Sequence, residues 1–186
     1  MEKKPTISVI CPTYNSEKFI IKTLNTVLNQ TVSPLELIVS DDGSTDNTIS
    51  KVEAFFKNCR GFSTHLLKNI HKGPGATRNS GINKARGEWI AFIDSDDLWK
   101  PNKISEVVKA IKKDNKYNFI FHNENLLKLN GSEAPFHNFS HFFRSDKTLS
   151  FQVWEYCIFH TSTICCPKLL LVKNGLFDEH LMSSQD

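Results

Sequence analysis

Three apolar runs in this chain, TISVIC at 6–11, LELIVS at 35–40 and EWIAFI at 88–93, are each followed at once by a polar cluster. The clusters are Pro12-Thr13-Tyr14-Asn15, Asp41-Asp42-Gly43-Ser44 and Asp94-Ser95-Asp96-Asp97. Short, nearly continuous apolar runs rich in β-branched residues are the pattern of strands buried on both faces. Between them the spacing changes to helical. Phe19, Ile20, Leu24, Val27 and Leu28 share one face, with Ser16 as a candidate N-cap, and Ile49, Val52 and Phe56 mark a second helix. Residues 63–67 read as a third strand and 76–85 as a short helix. Asn102 caps a helix carrying Ile104, Val107, Val108 and Ile111 on one face. Residues 117–122 and 161–166 read as further strands, and 168–173 as a short helix ended by Asn174-Gly175. Alternating strands and helices predict an α/β fold, a mostly parallel sheet with helices on both faces. In such sheets ligands bind outside the carboxyl ends of the strands, where the three polar clusters fall. Residues 130–150, with Gly131, Pro135, Phe136, Phe139, Phe142 and Phe143, break the pattern. They read either as a mobile acceptor-facing loop or as apolar cover over a sheet edge.

The length of 186 residues suits one domain spanning 1–186, burying about 70% of its unfolded surface. A net charge of +3 without a dense Lys/Arg block argues against nucleic acid as a partner. No apolar run approaches the length of a membrane span, and no signal peptide precedes Ile7. Five cysteines without a C-x-x-C spacing predict reduced core thiols in a cytoplasmic protein.

Asp94-Ser95-Asp96-Asp97 carries the sharpest chemistry. Residues i and i+2 of an extended segment face the same way, so Asp94 and Asp96 can converge on one point. With a diphosphate they would give the all-oxygen surroundings that Mg²⁺ or Mn²⁺ prefers. A solvated acidic turn is the plain alternative; the buried strand before it and Trp99-Lys100-Pro101 after it favour the metal. Asp42 stands where Rossmann proteins carry a ribose-binding acid, and its carboxylate can accept an N–H from a base. Asp41 is suited to an Asx-turn. Thr13 and Tyr14 offer a hydroxyl and a ring to stack on a base. The stretch GPGATRNSG at 73–81 lacks the third glycine of a dinucleotide fingerprint, because that position is Arg78. It reads instead as a loop leading into a helix with Arg78 aimed at a nucleotide or phosphate. The spacing of His137 and His141 lacks the glutamate of a metalloprotease helix and is read as chance. Lys109, Lys112, Lys113 and Lys116 form a solvated basic helix end, with a weak contact to anionic lipid as the alternative.

In this order the segments ISVICPTYNSEKFI, LELIVSDDGSTDNT, GPGATRNSGINKARGEWIAFIDSDDLWKPNKI and GLFDEHLMSSQD resemble the signatures of family 2 glycosyltransferases with the GT-A fold. The likeness runs from about Ile7 to Asp186. It implies a Rossmann-like sheet, a nucleotide-diphosphate sugar donor (a UDP-sugar above all) and Mn²⁺ or Mg²⁺. It assigns Thr13, Tyr14, Asp42, Arg78 and Asp94 to the nucleotide, Asp96 with Asp94 to the metal, and Asp97 to the donor sugar. Asp186 matches the general base of inverting members, although Gln185 precedes it where the family has Glu. Residues 1–100 become the donor half and 101–186 an acceptor half. Family members continue past this acid, so the resemblance implies a chain truncated at its C-terminus that binds donor better than it turns over. The implied acceptor is a sugar, lipid-linked or protein hydroxyl in cell-surface polysaccharide or lipopolysaccharide synthesis. The implied location is the cytoplasm, with peripheral association at the inner membrane face. A non-catalytic sugar-nucleotide binding module and a sugar nucleotidyltransferase are the alternatives. The second should carry a Gly-rich basic loop after the first strand, which residues 12–15 lack.

Overall fold

A computed structural model of the chain describes residues 4–114, 116–137, 146–148 and 159–181. In chain order the elements are β1 (Ile7–Thr13), α1 (Ile20–Leu28), β2 (Glu36–Asp41), α2 (Thr48–Asn58) and β3 (Ser63–Lys68). There follow α3 (Pro74–Lys84), β4 (Trp89–Phe92), α4 (Lys103–Lys113), β5 (Glu124–Leu127), β6 (Glu133–His137), β7 (Cys165–Pro167) and α5 (Lys168–Lys173). The main sheet has the order β3-β2-β1-β4-β7, parallel except for β7, which runs antiparallel to β4. The second sheet is the β5–β6 hairpin.

Alternation along the buried strands divides the core in two. Val9, Cys11, Leu37, Val39, Ala91 and Ile93 meet Ile20, Leu24 and Val27 of α1, Val52 of α2, and Ile104 and Val107 of α4. Ile10, Ile38, Ile90 and Phe92 point the other way, toward Ile82 of α3 and the half-buried Leu171 of α5. Helices therefore cover both faces of the mixed α/β sheet. Each fully buried Ile or Leu contributes roughly 1.5–3 kcal/mol through removal from water. α3 lies so close to β1 that a Cβ at Gly81 would come within 2.5 Å of Ile10 Cγ2.

The register positions the polar clusters. Thr13 pairs with Asp41 across β1 and β2, and Ile10 with Phe92 across β1 and β4. The segments following these three adjacent strands therefore emerge side by side.

Several local expectations need correction. Residues 117–122 form no strand; Ile120 makes a single antiparallel bridge to Cys165. The edge available to it is only three residues long, so no ladder can grow. The segment read as a strand at 161–166 begins instead as a 3-10 turn, Thr161–Thr163. There the Thr163 amide and hydroxyl both donate to the His160 carbonyl, at 2.8 and 2.7 Å. Local bonds of this kind compete with a sheet ladder. Ser16 does not cap α1 with its side chain. Its carbonyl accepts from the Phe19 and Ile20 amides, while its hydroxyl donates to the Tyr14 carbonyl. Asn102 precedes α4 but its side chain makes no capping bond. Part of the 130–150 stretch is ordered as β6; Phe139, Phe142 and Phe143 lie outside the described residues.

Candidate active site

The three strand-end clusters are stitched to one another. The Asn15 amide donates to Ser44 Oγ at 2.9 Å, and Asn15 Oδ1 accepts from the Thr45 amide at 2.9 Å. The Ser16 and Ser95 hydroxyls share a bond of 2.7 Å, and Thr23 Oγ1 donates to the Ser95 carbonyl. Asp41 is spent on its own turn: its carboxylate accepts from the Gly43 and Ser44 amides and from Ser44 Oγ. Asp42 is buried and faces the next loop. Its Oδ1 accepts from the Lys72 amide at 2.9 Å and its Oδ2 from the Gly73 amide at 3.0 Å. Beside it lies a cleft of about 190 Å³ lined by Asp42, Asn69, Ile70, Lys72, Thr77 and Ser80. Thr13 is 4% exposed, and its hydroxyl has no hydrogen-bond partner among the described residues. Tyr14 is exposed and stacks on His71, with ring centroids 4.5 Å apart.

Arg78 rises from α3 into the other half of the site. Its guanidinium is buried, donating from Nη2 to Asp94 Oδ1 and to Thr161 Oγ1, both at 3.1 Å, and it stands 5.5 Å from the centre of the Phe177 ring. The 3-10 turn supplies the next contacts. Ser162 Oγ accepts from the Asp94 amide at 2.8 Å, and the Trp99 indole donates to the Ser162 carbonyl at 3.1 Å. Partial desolvation holds the Asp97 carboxyl above its usual range. The charges of Asp96 and Glu124 add to that shift, and a bond from Ser162 opposes it. Lys103 lies beneath the turn, buried, and donates from Nζ to the Thr163 carbonyl at 2.8 Å. Burial lowers its pKa to about 7.

A hard divalent cation fits these residues in one way. Among the described residues no three His, Cys, Asp or Glu side chains gather to cage an ion. Mg²⁺ and Mn²⁺ in phosphate sites are instead held by one or two carboxylates, with phosphate oxygens and water completing the shell. The exposed Asp96 and the half-exposed Asp94 offer such a partial donor set. Among the described residues, Cys11, Cys59, Cys165 and Cys166 are buried free thiols. Burial pushes the last two up to about 12.

Thr13, Tyr14, Asp42, Arg78, Asp94, Asp96 and Asp97 thus fall along one edge of the sheet, on the last residue of β1, the loops following β1, β2 and β4, and the first turns of α3. Asp186 and Gln185 lie outside the described residues, as do Cys157 and His141. The chain leading toward Asp186 is tied to the site by Asn79. Its amide donates to the Phe177 carbonyl and Glu179 Oε1, and its Oδ1 accepts from the Phe177 amide.

Sequence reasoning missed His71, Asn79, Lys103 and the Thr161-Ser162-Thr163 turn. Lys103 left a signal, since it precedes Val107 by one helical turn on the apolar face of α4. Three consecutive hydroxyl residues after His160 were another. His71 and Asn79 left none.

Comparisons with known proteins converge. The family model described as "Glycosyl transferase family 2" matches residues 8–167. An uncharacterized glycosyltransferase of Rickettsia felis is 34% identical over 180 residues, covering 97% of this chain and 29% of that protein. The UDP-Glc:alpha-D-GlcNAc-diphosphoundecaprenol beta-1,3-glucosyltransferase of Escherichia coli is 37% identical over 131 residues, 70% of this chain and 50% of that one. Among solved structures, S. aureus TarS 1-349 in complex with UDP superposes with a TM-score of 0.73 at 29% identity, covering 97% of this chain and 52% of that chain. The chain therefore spans about half or less of the length of these relatives.

Proposed function

The chain belongs to glycosyl transferase family 2, and from that footing we propose that it binds a UDP-sugar and transfers the sugar, with inversion, to an acceptor hydroxyl. One observation carries the reading. A stacking ring, a buried carboxylate, an arginine–aspartate pair and an exposed aspartate lie along one edge formed by β1, β2 and β4. TarS, crystallised with UDP, supports uridine as the nucleoside. The name of the E. coli relative supports a lipid-linked sugar acceptor and a part in bacterial surface glycan synthesis.

In this reading Tyr14 presents its ring to the base, Asp42 accepts a base N–H, and the Thr13 hydroxyl supplies a further bond. Asp96, with Asp94, would hold Mn²⁺ or Mg²⁺; when bound, the ion supplies positive charge against the leaving diphosphate. Arg78, pre-placed by Asp94 and Thr161, adds a fixed cation on the same side. Asp97 contacts the donor sugar. Asp186 takes the proton of the acceptor hydroxyl as that oxygen bonds to the anomeric carbon. The bond from that carbon to the diphosphate breaks, and its electron pair leaves with the diphosphate oxygen. A lipid-linked acceptor would favour peripheral association with the cytoplasmic membrane face; among the described residues no helix is long and apolar enough to cross a membrane.

The test is consumption of a panel of UDP-sugars, alone and with lipid-linked sugar acceptors, in the presence of Mn²⁺. Asp96→Asn should lower the rate by on the order of 10²-fold, the usual cost of losing one charge-stabilising group. An Asp96→Asn variant as fast as the parent would remove the metal-binding role.

A further inference from the structure

His71 occupies both groups that the proposed function assigns to the nucleobase. Its ring lies on Tyr14 at a centroid distance of 4.5 Å and an interplanar angle of 21°. Its Nδ1 sits 2.8 Å from Asp42 Oδ2 and 3.1 Å from the Asp42 carbonyl. Both neighbours are acceptors, so Nδ1 must carry a proton and donate. A planar ring stacked on Tyr14 and giving an N–H to Asp42 is the same pair of contacts a pyrimidine base would make. From this coincidence, which rests on the donor-site reading above, we propose that His71 is a displaceable placeholder. Its ring holds the base position against Tyr14 and Asp42 and swings out when a uracil-type base enters.

The surroundings make the exchange local. The neighbouring backbone is pinned independently of the imidazole, because the Lys72 and Gly73 amides hold the Asp42 carboxylate. The His71 backbone also rests against Gly43, where φ is +78° and an added Cβ would stand 3.2 Å from the His71 amide nitrogen. The His71 side chain is 51% exposed, so rotation about its χ1 carries the ring into solvent without moving the loop. Closed, the imidazole keeps Tyr14 partly covered and the buried Asp42 carboxylate fully bonded. A base must compete with it, and the apparent affinity falls by the fraction of molecules that are open.

The experiment is calorimetric titration of the whole chain and of His71→Ala with UDP, and separately with inorganic pyrophosphate, both with Mn²⁺ present. Removing an exposed stack and one hydrogen bond predicts UDP binding that is tighter by roughly three- to tenfold in His71→Ala. Pyrophosphate, which has no base, should bind both proteins equally. His71→Phe, which keeps the stack and loses the bond to Asp42, should fall between them; circular dichroism checks that both variants fold. Weaker or unchanged UDP binding in His71→Ala, with the parent binding UDP, overturns the placeholder and makes His71 a wall of the base site or a bystander. Failure of the parent to bind UDP while it binds pyrophosphate overturns the nucleoside reading itself, and the placeholder with it.

Discussion

Lys103 shows how far a single residue can depart from its sequence expectation. A lysine at the start of an amphipathic helix ordinarily reaches water, yet here it is enclosed beneath Trp99, whose ring centre lies 5.2 Å from Nζ, and the Thr161–Thr163 turn. The ammonium ordinarily keeps its proton up to 10.5, and burial lowers that to about 7. Between those values the unfolded chain holds the extra proton, so folding becomes more favourable as pH rises through that window. Lys103→Met abolishes this contribution. The melting temperature of the parent should therefore gain on that of Lys103→Met between pH 7 and 10. A constant gap across that range would mean that the amine is not buried as described. The placement of Asp94 and Asp96 was legible because they directly follow a buried apolar strand. Lys103 and His71 were not, because their roles depend on what the fold lays over or beside them.

At the level of elements, β1, β2 and β4 could be read as apolar runs because they are buried on both faces, and α1, α2 and α4 from helical spacing. The return segment could not. Thr161 and Thr163 carry β-forming side chains, but their hydroxyls and that of Ser162 serve Arg78, the His160 carbonyl and the Asp94 amide, and the strand contracts to Cys165–Pro167. The hairpin of β5 and β6 escaped detection because its side chains are mostly exposed and show no apolar alternation. The contact of α3 with β1 is close, as an added Cβ at Gly81 would come within 2.5 Å of Ile10 Cγ2. That contact sets the height of Arg78, one turn earlier on α3. Gly81→Ala should cost about 1–3 kcal/mol in a urea titration through forced repacking. An unchanged midpoint would show that the helix is not seated so closely.

For the whole molecule, the order β3-β2-β1-β4-β7 sets three polar clusters side by side, and the resemblance to family 2 glycosyltransferases followed from their order along the chain. The proposed donor side draws on residues 13–97, with the 3-10 turn bonded to Arg78 and Asp94 from the far end of the sequence. The proposed acceptor side was the least legible: residues 130–150 carry no periodic signal in their composition, and Asp186 and most of residues 138–158 lie outside the described residues. A metal-assisted nucleotide-diphosphate site along this sheet edge is open to one direct test, a titration of the chain with UDP, with and without Mn²⁺. Mn²⁺ should strengthen binding, and Asp96→Asn should return it to the metal-free level. A folded chain that binds no UDP, or binds it equally with and without the ion, contradicts it.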